Sequence, residues 1–298
     1  MTSTIIPWIL AARPKTLPAS SMPVIVASAL AAADHRFEPV PALLCLAFAV
    51  FSQIAANFVN DWSDFRKGAD TDDRLGPNRM VALGVLSPAA MLTGTFAALA
   101  LACVFGLGLV FYGGVKLIAV GVVCAIFVLL YSAGPLPLAY IGLGDAAVIV
   151  FFGLVAVCGT YYVQAGTITV PVLLAGFSLG FASDNILIAN NYRDRDEDRK
   201  NHKWTTVAIF GERFGRYFYL ASGLICSVFF ALSIFFIAKN TIALMLPVLW
   251  FVFHVRAWWR LCAIRQGKAL NVILERSAKN LLLLGLFFVL FAVICRFD

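Results

Sequence analysis

Charged residues are scarce in this sequence. They make up 13% of the 298 residues, whereas 61% of the residues are hydrophobic. Soluble globular domains typically carry about 25% charged residues and about 45–50% apolar residues. The composition therefore excludes a soluble globular protein and predicts an integral membrane protein.

Histidine and paired cysteines are also in short supply. The chain has three histidines and seven cysteines, and the cysteines are scattered through apolar stretches without a CxxC pair. Structural zinc sites and disulfide frameworks both depend on such residues at regular spacings. We therefore expect neither kind of site, and we interpret the cysteines as small core residues.

The apolar residues form continuous runs, without the alternation that a membrane β-barrel requires. A membrane-spanning helix needs about 20 predominantly apolar residues, and the sequence offers about nine such runs. We therefore predict an all-α membrane protein in which residues 1–298 form a single polytopic domain. The predicted spans are Leu17–Ala33, Val40–Val59, Ala89–Phe111, Val115–Ser132, Leu143–Val163, Val170–Ala189, Tyr217–Ala238, Thr241–Val255 and Asn280–Phe297.

The basic residues are distributed unequally between the two sides of these spans. Of the 23 lysines and arginines, one side receives only Arg36, Lys116, Lys239 and Arg296. The positive-inside rule then predicts a multi-pass protein of the cell (inner) membrane, with a cytoplasmic N-terminus and a C-terminus across the membrane. Topology and attraction to anionic membrane lipid account for the net charge of +7, so we expect no nucleic-acid partner.

A polar motif follows the second apolar run, in residues 57–79, NFVNDWSDFRKGADTDDRLGPNR. Asn57, Asn60, Asp61 and Asp64 are spaced at i, i+3, i+4 and i+7, which places them on one face of a helix. The helix of the preceding span is predicted to continue to about Lys67, with an irregular cap beyond it where glycines interrupt the sequence.

A second polar motif follows the sixth apolar run, in residues 190–198, NNYRDRDED. Asn190, Asn191, Asp194 and Asp198 are spaced at i, i+1, i+4 and i+8, again close to one helical face. The loop of this motif is expected to extend to Arg216. Because both motifs are predicted at the same side of the membrane, we interpret them as two halves of one divalent-cation site.

The residue types in both motifs indicate the chemistry of the site. Carboxylate and carboxamide oxygens are the hard ligands that Mg²⁺ prefers, and Mg²⁺ is commonly shared with phosphate oxygens. Basic residues beside the acids are placed to neutralise the remaining phosphate charge. A diphosphate with a hydrocarbon tail in the membrane is therefore the expected ligand. The basic residues are Arg66, Lys67, Arg74 and Arg79 in the first motif, and Arg199 and Lys203 in the second.

These motifs resemble the paired aspartate motifs of the UbiA superfamily of membrane prenyltransferases. The resemblance rests on NDWSD continuing into KGADTDDRLGPNR, on GVLS, and on NNYRDRDEDRKNHKWTT. RPKTLP at residues 13–18 and YIGLGD at residues 140–145 add to it, so that the similarity covers nearly the whole chain. The resemblance implies a bundle of nine membrane helices with an active-site cavity on the cytoplasmic side.

Within that superfamily the sequence is most similar to the branch that prenylates 1,4-dihydroxy-2-naphthoate in menaquinone synthesis. Gly68, Leu187 and Asn190 depart from the ubiquinone branch and match the naphthoate branch. The resemblance implies Mg²⁺-dependent transfer of a polyprenyl chain from polyprenyl diphosphate to the naphthoate. The ring loses its carboxyl group as CO₂ in this reaction and becomes demethylmenaquinol.

The resemblance also implies roles for individual residues. Asp61, Asp64, Asp194 and Asp198 are the implied catalytic carboxylates. The metal ligands would be these four together with Asn60. Lys203 and Arg79 would bind the diphosphate, as would Lys67, Arg74 and Arg199. Tyr131 would shield an allylic cation with its ring. Asn57, Asn190 and Asn191 are expected to contact substrate from the same helical faces. Residues 66–88 and 199–214 are candidates for a lid that excludes water.

Several alternatives remain open at this stage. Arg13 and Lys15 are interpreted as an interfacial anchor. Asp145 either caps a helix or contacts the site, and Asp184, inside the sixth span, either pairs locally or is functional. The acids and bases of a transporter would also fit a helical bundle, although transporter sites lie nearer the midplane. Another prenyl acceptor, such as homogentisate, a haem precursor or a sugar phosphate, is the alternative within the superfamily.

Overall fold

The polypeptide is built from helices that run along the whole described chain. The computed structural model describes residues 5–68, 75–76, 79–237 and 241–297, and within these ranges it contains helices and no strands. The α-helices are α1 (Ile5–Ala12), α2 (Leu17–Ala33), α3 (Pro39–Arg66), α4 (Pro88–Gly108), α5 (Val110–Gly113), α6 (Lys116–Leu130), α7 (Gly144–Val148), α8 (Ala156–Ala165), α9 (Val170–Lys200), α10 (Thr206–Ile237), α11 (Met245–Ile264) and α12 (Asn271–Phe297).

The described helices agree with the predicted number of spans. Eight segments are long and apolar enough to cross a membrane, and Lys116–Leu130 is a further apolar helix of 15 residues. Each of these nine segments overlaps one predicted span, so the prediction of an all-α membrane bundle is confirmed. The short α6 accounts for the fourth predicted span, which the sequence placed at Val115–Ser132.

The second motif is more helical than its sequence suggested. Helix α9 continues through the motif to Lys200, and α10 already begins at Thr206, with a break in its helical backbone at Gly211. The expected loop at residues 190–216 is therefore reduced to a short connection, and so is the lid expected at residues 199–214. Arginine, lysine and glutamate are good helix formers, and no glycine or proline interrupts residues 190–200, so charge alone was a poor guide to a loop.

Helix α9 lies at the centre of the bundle. A large apolar core packs α2, α8, α10, α11 and α12 around it, with Leu179 and Phe230 fully buried. A π-helical segment, Ile149–Val155, joins α7 to α8 and approaches α9 closely. A Cβ atom on Gly180 would lie 2.7 Å from the Ile149 carbonyl oxygen, so only glycine permits this approach.

The two ends of the bundle carry different contacts. At one end, the Tyr161 hydroxyl donates a hydrogen bond to Asp34, and Lys116 lies 4.4 Å from the centre of the Tyr162 ring. At the other end, α3, α9 and the connection between α6 and α7 meet. Both acidic motifs lie at this second end, as the arrangement of spans predicted.

Candidate active site

One long cavity links the two acidic motifs to the apolar interior. Its volume is about 660 Å³. The α3 residues that line it recur at steps of three and four, so they belong to one helical face. The α9 residues show the same periodicity. From α3 these are Cys45, Phe48, Ala49, Ser52, Gln53, Ala56, Asn57, Asn60 and Asp64; from α9 they are Ser183, Ile186, Leu187, Asn190, Asn191, Asp194, Glu197 and Asp198, and Asn201 follows directly after its end.

Of the two described carboxylates of the first motif, Asp61 and Asp64, it is Asp64 that faces the cavity. Its Oδ2 forms a buried ion pair with Arg79, and its Oδ1 accepts a hydrogen bond of 3.0 Å from the Tyr140 hydroxyl. Arg79 also donates to the backbone oxygen of Asn60 at 2.6 Å. The Asn60 side chain donates to Ser132 at 2.9 Å. Two separate segments, the one that contains Arg79 and the one that contains Ser132, therefore hold the first motif in place.

Asp61 lies in a different environment from Asp64. It is 1% exposed, and its two carboxylate oxygens accept hydrogen bonds from the backbone N–H groups of Met80 and Val81, at 3.1 and 3.4 Å. Asp61 does not line the cavity, in contrast to Asn60 and Asp64. Successive residues of an α-helix are rotated by about 100°, so Asp61 points towards the loop at residues 79–86 when Asn60 points into the cavity.

The carboxylates of the second motif lie across the cavity from the first. The Arg193 guanidinium binds both oxygens of Asp194, at 2.6 and 2.5 Å, and also donates to Asn190 and Asn271. Asp198 Oδ1 lies 3.2 Å from Lys203 Nζ. The second oxygen of Asp198 is buried and has no hydrogen-bond partner among the described residues, so it remains available to a ligand.

Lys203 connects the two motifs electrostatically. Burial by itself would lower the pKa of Lys203, but the nearby carboxylates of Asp198, Asp64 and Asp194 together raise its pKa above the ordinary value. Its ammonium group is therefore charged at neutral pH. Because acids of both motifs act on this one amine, they lie close enough to share a single anionic ligand.

Tyr140 lies between the same groups. Burial, the charge of Asp64 and its hydrogen bond to Asp64 raise the pKa of Tyr140, so the phenol remains a hydrogen-bond donor. Lys67 Nζ lies 3.9 Å from the centre of the Tyr140 ring, and Lys203 Nζ lies 5.8 Å from it. The Tyr140 ring thus forms cation–π contacts with two lysines beside the acidic motifs.

Four of the predicted site residues that the structure describes do not line the cavity: Asp61, Arg66, Lys67 and Arg199. Lys67 donates to the Ser132 carbonyl at 2.9 Å, and partial burial lowers its pKa. Arg199 donates to the Ala208 carbonyl at 2.6 Å and so connects α9 to α10. Arg74 lies outside the described residues.

The remaining predicted residues, Asn57, Tyr131, Asn190 and Asn191, line the cavity. Asn57 also donates to the backbone oxygen of Ala12 at 2.8 Å, which ties the N-terminal segment to α3. Asn57 therefore both lines the cavity and supports its wall.

Sequence reasoning missed three polar residues of this region. Arg13, interpreted as an interfacial anchor, lines the cavity and donates to Asn60 at 3.4 Å. Tyr140 and Arg193 were not selected either. Arg13 and Tyr140 belong to the RPKTLP and YIGLGD segments. These segments contribute to the family resemblance, and this resemblance could have identified both residues as candidates for the site. Arg193 stands beside Asp194 in the second motif and was treated as one charge among many.

The donor set fits a magnesium ion that is shared with a diphosphate. Asn60, Asp64, Asp194 and Asp198 present oxygen atoms to one cavity, and a buried Asp198 oxygen is unpaired. Within the described ranges, no three acidic, histidine or cysteine side chains are close enough to form a metal site alone. Phosphate oxygens would have to complete the coordination, as is usual for Mg²⁺.

The rest of the cavity is mainly apolar. It extends along α3 from Asp64 to Cys45, a distance of about 28 Å at the helical rise of about 1.5 Å per residue. Phe151 lines it and stacks on Phe127 with ring centres 3.8 Å apart. A long hydrocarbon chain can therefore enter the bundle from a polar head at the acidic end.

The comparisons with known proteins agree with this arrangement. The profile of the UbiA prenyltransferase family matches residues 20–274. The chain is 35% identical to the 1,4-dihydroxy-2-naphthoate octaprenyltransferase of Escherichia coli, covering 95% of this chain and 94% of the relative. It is 40% identical to the enzyme of the same name from Mycobacterium tuberculosis, covering 71% of this chain and 72% of the relative.

A solved structure shares the fold. It is a UbiA homolog from Archaeoglobus fulgidus bound to DMAPP and Mg²⁺, with a TM-score of 0.70 and 14% identity, covering 97% of this chain and 98% of that one. At this identity the likeness concerns the fold alone.

Proposed function

The chain belongs to the UbiA prenyltransferase family, and on that premise we propose that it transfers a polyprenyl chain from polyprenyl diphosphate to 1,4-dihydroxy-2-naphthoate, a step of menaquinone synthesis. The naphthoate is proposed as the acceptor because relatives that match most of the chain carry it in their names.

A single observation carries this proposal. Asp64 from one motif and Asp194 and Asp198 from the other face one cavity, with Lys203 between them, and the cavity continues as an apolar channel. A charged head beside a long apolar tail is the chemistry of a polyprenyl diphosphate. The cations Arg79 and Lys203 would bind phosphate oxygens.

The proposed metal is Mg²⁺, held by Asp64, Asp194, Asp198 and Asn60 together with the diphosphate. When bound, it would supply Lewis-acid stabilisation of negative charge on the leaving diphosphate. Asp61 supports this site by holding the backbone beside Arg79. Lys203 and Arg79 supply fixed positive charge at the same place, which favours departure of the diphosphate.

The proposed reaction breaks the allylic C–O bond and the bond between the ring and its carboxylate, and it forms one bond between the two substrates. The allylic C–O bond breaks, and its electron pair leaves with the diphosphate. The naphthoate ring carbon that carries the carboxylate forms a bond to the allylic carbon. The carboxylate then leaves as CO₂, and its C–C electron pair returns to the ring, which gives demethylmenaquinol. The apolar wall around Tyr131 and Phe151 would exclude water, which otherwise quenches the allylic cation.

The proposed location is the cell (inner) membrane, with the acidic end of the bundle in the cytoplasm. The distribution of lysine and arginine supports this orientation, since the end opposite the motifs carries few basic residues. A cysteine-accessibility assay would test it: a cysteine introduced at exposed Asp196 should react with a membrane-impermeant reagent only in inverted vesicles.

Purified protein should be incubated in detergent with Mg²⁺, polyprenyl diphosphates of several chain lengths, and a panel of acceptors. We expect demethylmenaquinol and CO₂ in a one-to-one ratio with 1,4-dihydroxy-2-naphthoate. Turnover of homogentisate, a haem precursor or a sugar phosphate in the absence of naphthoate turnover would reject the proposed acceptor. Membership of a prenyltransferase family removes the main reason for the transporter alternative.

A further inference from the structure

Two aspartates that the proposed reaction does not use lie together in the wall of the cavity. Asp145, in the first turn of α7, is 5% exposed, and Asp184, in the middle of α9, is 0% exposed. Helix α7 packs against α9, and this packing brings the two carboxyl groups close together. Asp184 precedes Asp194 by ten residues on α9, so the pair lies about 15 Å along the helix from the second motif.

The surroundings of the two carboxyl groups differ. Asp145 Oδ2 accepts a hydrogen bond of 2.7 Å from the Thr206 hydroxyl, and Asp145 lines the cavity. Asp184 does not line the cavity, and apart from the contact with Asp145 neither of its oxygens has a partner in the described part of the chain. Two carboxyl groups that lie close together and out of water cannot both be ionised, so the pair shares one proton.

One oxygen of this pair lies in the cavity wall without a partner among the described residues. Asp145 Oδ1 is buried and has no donor among the described residues other than its carboxyl neighbour. The Ser183 hydroxyl also lines the cavity, and it is likewise buried and unpaired. Buried polar atoms without partners are costly, and a cavity wall that retains two of them is typical of a site that a polar ligand completes.

Tyr131 connects this wall to the first motif. It lines the cavity together with Asp64 and Asp145, and its hydroxyl lies close to Gly144, the neighbour of Asp145 in the chain. A group seated against Asp145 is thus next to the polar end of the cavity, where the allylic carbon would be released.

We propose that Asp145, with Asp184 beside it, is the subsite for the hydroxyl group of an aromatic acceptor, with Asp145 Oδ1 accepting the hydrogen bond. The proposal rests on the proposed function for the presence of such an acceptor. A hydroxyl that donates to a carboxylate enriches its ring in electrons and fixes which ring carbon faces the prenyl group.

Asp145→Asn and Asp184→Asn separate the two roles. The Asp145→Asn variant loses the charged acceptor, so its KM for 1,4-dihydroxy-2-naphthoate should rise by about 10- to 100-fold, the range for a hydrogen bond to a charged group. Its KM for polyprenyl diphosphate should stay within about twofold. In Asp184→Asn, the amide replaces the shared proton as a donor to Asp145, so the acceptor KM should remain near that of the wild type.

Asn185→Leu is the matched control. Asn185 is buried beside Asp184, is unpaired among the described residues and does not line the cavity. Removing a buried polar group without partners is nearly neutral for stability, so both KM values should stay unchanged. Equal rises in both KM values for Asp145→Asn, or an unchanged acceptor KM, would overturn the proposal.

Inhibition by naphthoates that lack one hydroxyl distinguishes a direct contact from a structural role. A purely structural role of Asp145 would not change how strongly inhibition depends on that hydroxyl. In the wild type, loss of the bound hydroxyl should weaken inhibition by about 10-fold or more. In Asp145→Asn that difference should disappear, whereas a difference that persists would contradict the proposal.

Infrared difference spectra of the wild-type protein keep the proposal testable if variants fail to fold. Adding the naphthoate should shift the band of a protonated carboxyl group, and adding DMAPP with Mg²⁺ should not; an unchanged band overturns the proposal. Failure of the proposed function would look different, because the wild type would then prenylate another hydroxylated acceptor, and these measurements would be made with that acceptor.

Discussion

The carboxylate of Asp61 accepts a hydrogen bond of 3.1 Å from the backbone N–H of Met80. The contact fastens the end of α3 to the loop that follows Arg79, and Arg79 in turn pairs with Asp64. Of the two acids of the first motif that the structure describes, Asp61 therefore organises the loop and Asp64 faces the cavity. Neighbouring acids in one motif have distinct structural tasks.

Asp61→Asn and Asp64→Asn should consequently fail in different ways. Asn at position 61 keeps one acceptor oxygen and places an amide against a backbone N–H, which should lower the free energy of unfolding by about 1–3 kcal/mol. Its KM for the diphosphate should rise because Arg79 is displaced. In Asp64→Asn, kcat should fall by about 100-fold or more, because a carboxylate that faces the substrate is lost.

A magnesium titration of both variants separates the two effects. The half-saturating Mg²⁺ concentration should rise in Asp64→Asn and stay near the wild-type value in Asp61→Asn. A similar rise in both variants would identify Asp61 as a direct metal ligand and contradict the supporting role.

Tyr140→Phe should lower kcat/KM by about 10-fold, which is the lower end of the range for partners of metal ligands. The substitution removes the 3.0 Å hydrogen bond to Asp64 and leaves the ring beneath Lys67. Steady-state kinetics with the matched variant Tyr112→Phe, at the exposed end of α5, provide the control. Equal activity of the two variants would show that the Asp64 contact is dispensable.

Lys203→Met should raise the KM for polyprenyl diphosphate by about 10- to 100-fold, because the amine faces acids of both motifs and is placed to neutralise phosphate. Lys67→Met should change this KM by less than about threefold, since Lys67 is more exposed than Lys203 and lies outside the cavity lining. Kinetics at saturating Mg²⁺ check both values. A larger effect at Lys67 than at Lys203 would place the diphosphate elsewhere.

Metal removal should stop the reaction. After treatment with EDTA we expect no product, with full recovery on addition of Mg²⁺. Ca²⁺ should restore little activity, because it prefers six to eight oxygen ligands at longer distances than Mg²⁺. Product formation in the presence of excess EDTA would rule out the proposed metal.

Much of this arrangement was predictable from the sequence. Continuous apolar runs predicted the helical bundle, because backbone polar groups inside a bilayer must be satisfied within each helix. The spacing of Asn57, Asn60 and Asp64 predicted a shared face, and the structure confirms that these residues line one cavity. These features depend on local periodicity, which a sequence displays directly.

The remaining features depend on which side of each helix meets its neighbours. The spacing in the sequence grouped Asp61 with Asn60 and Asp64 on one helical face. Successive residues are rotated by about 100°, and spacing alone does not show which part of that face meets the cavity. In the folded structure, the backbone N–H groups of Met80 and Val81, in the loop at residues 79–86, donate to the Asp61 carboxylate. Helices α7 and α9 bring Asp145 and Asp184 together although 39 residues separate them, and the pair exists only because the chain between them folds back.

The sequence by itself thus determined the membrane bundle, the two acidic stripes and the kind of ligand that they suit. The tertiary structure alone decided which acids face the cavity, which brace its wall, and that Arg13 and Tyr140 join them. The physical reason is that helical periodicity is a property of neighbouring residues, whereas the facing of a helix is set by contacts between segments far apart in the chain.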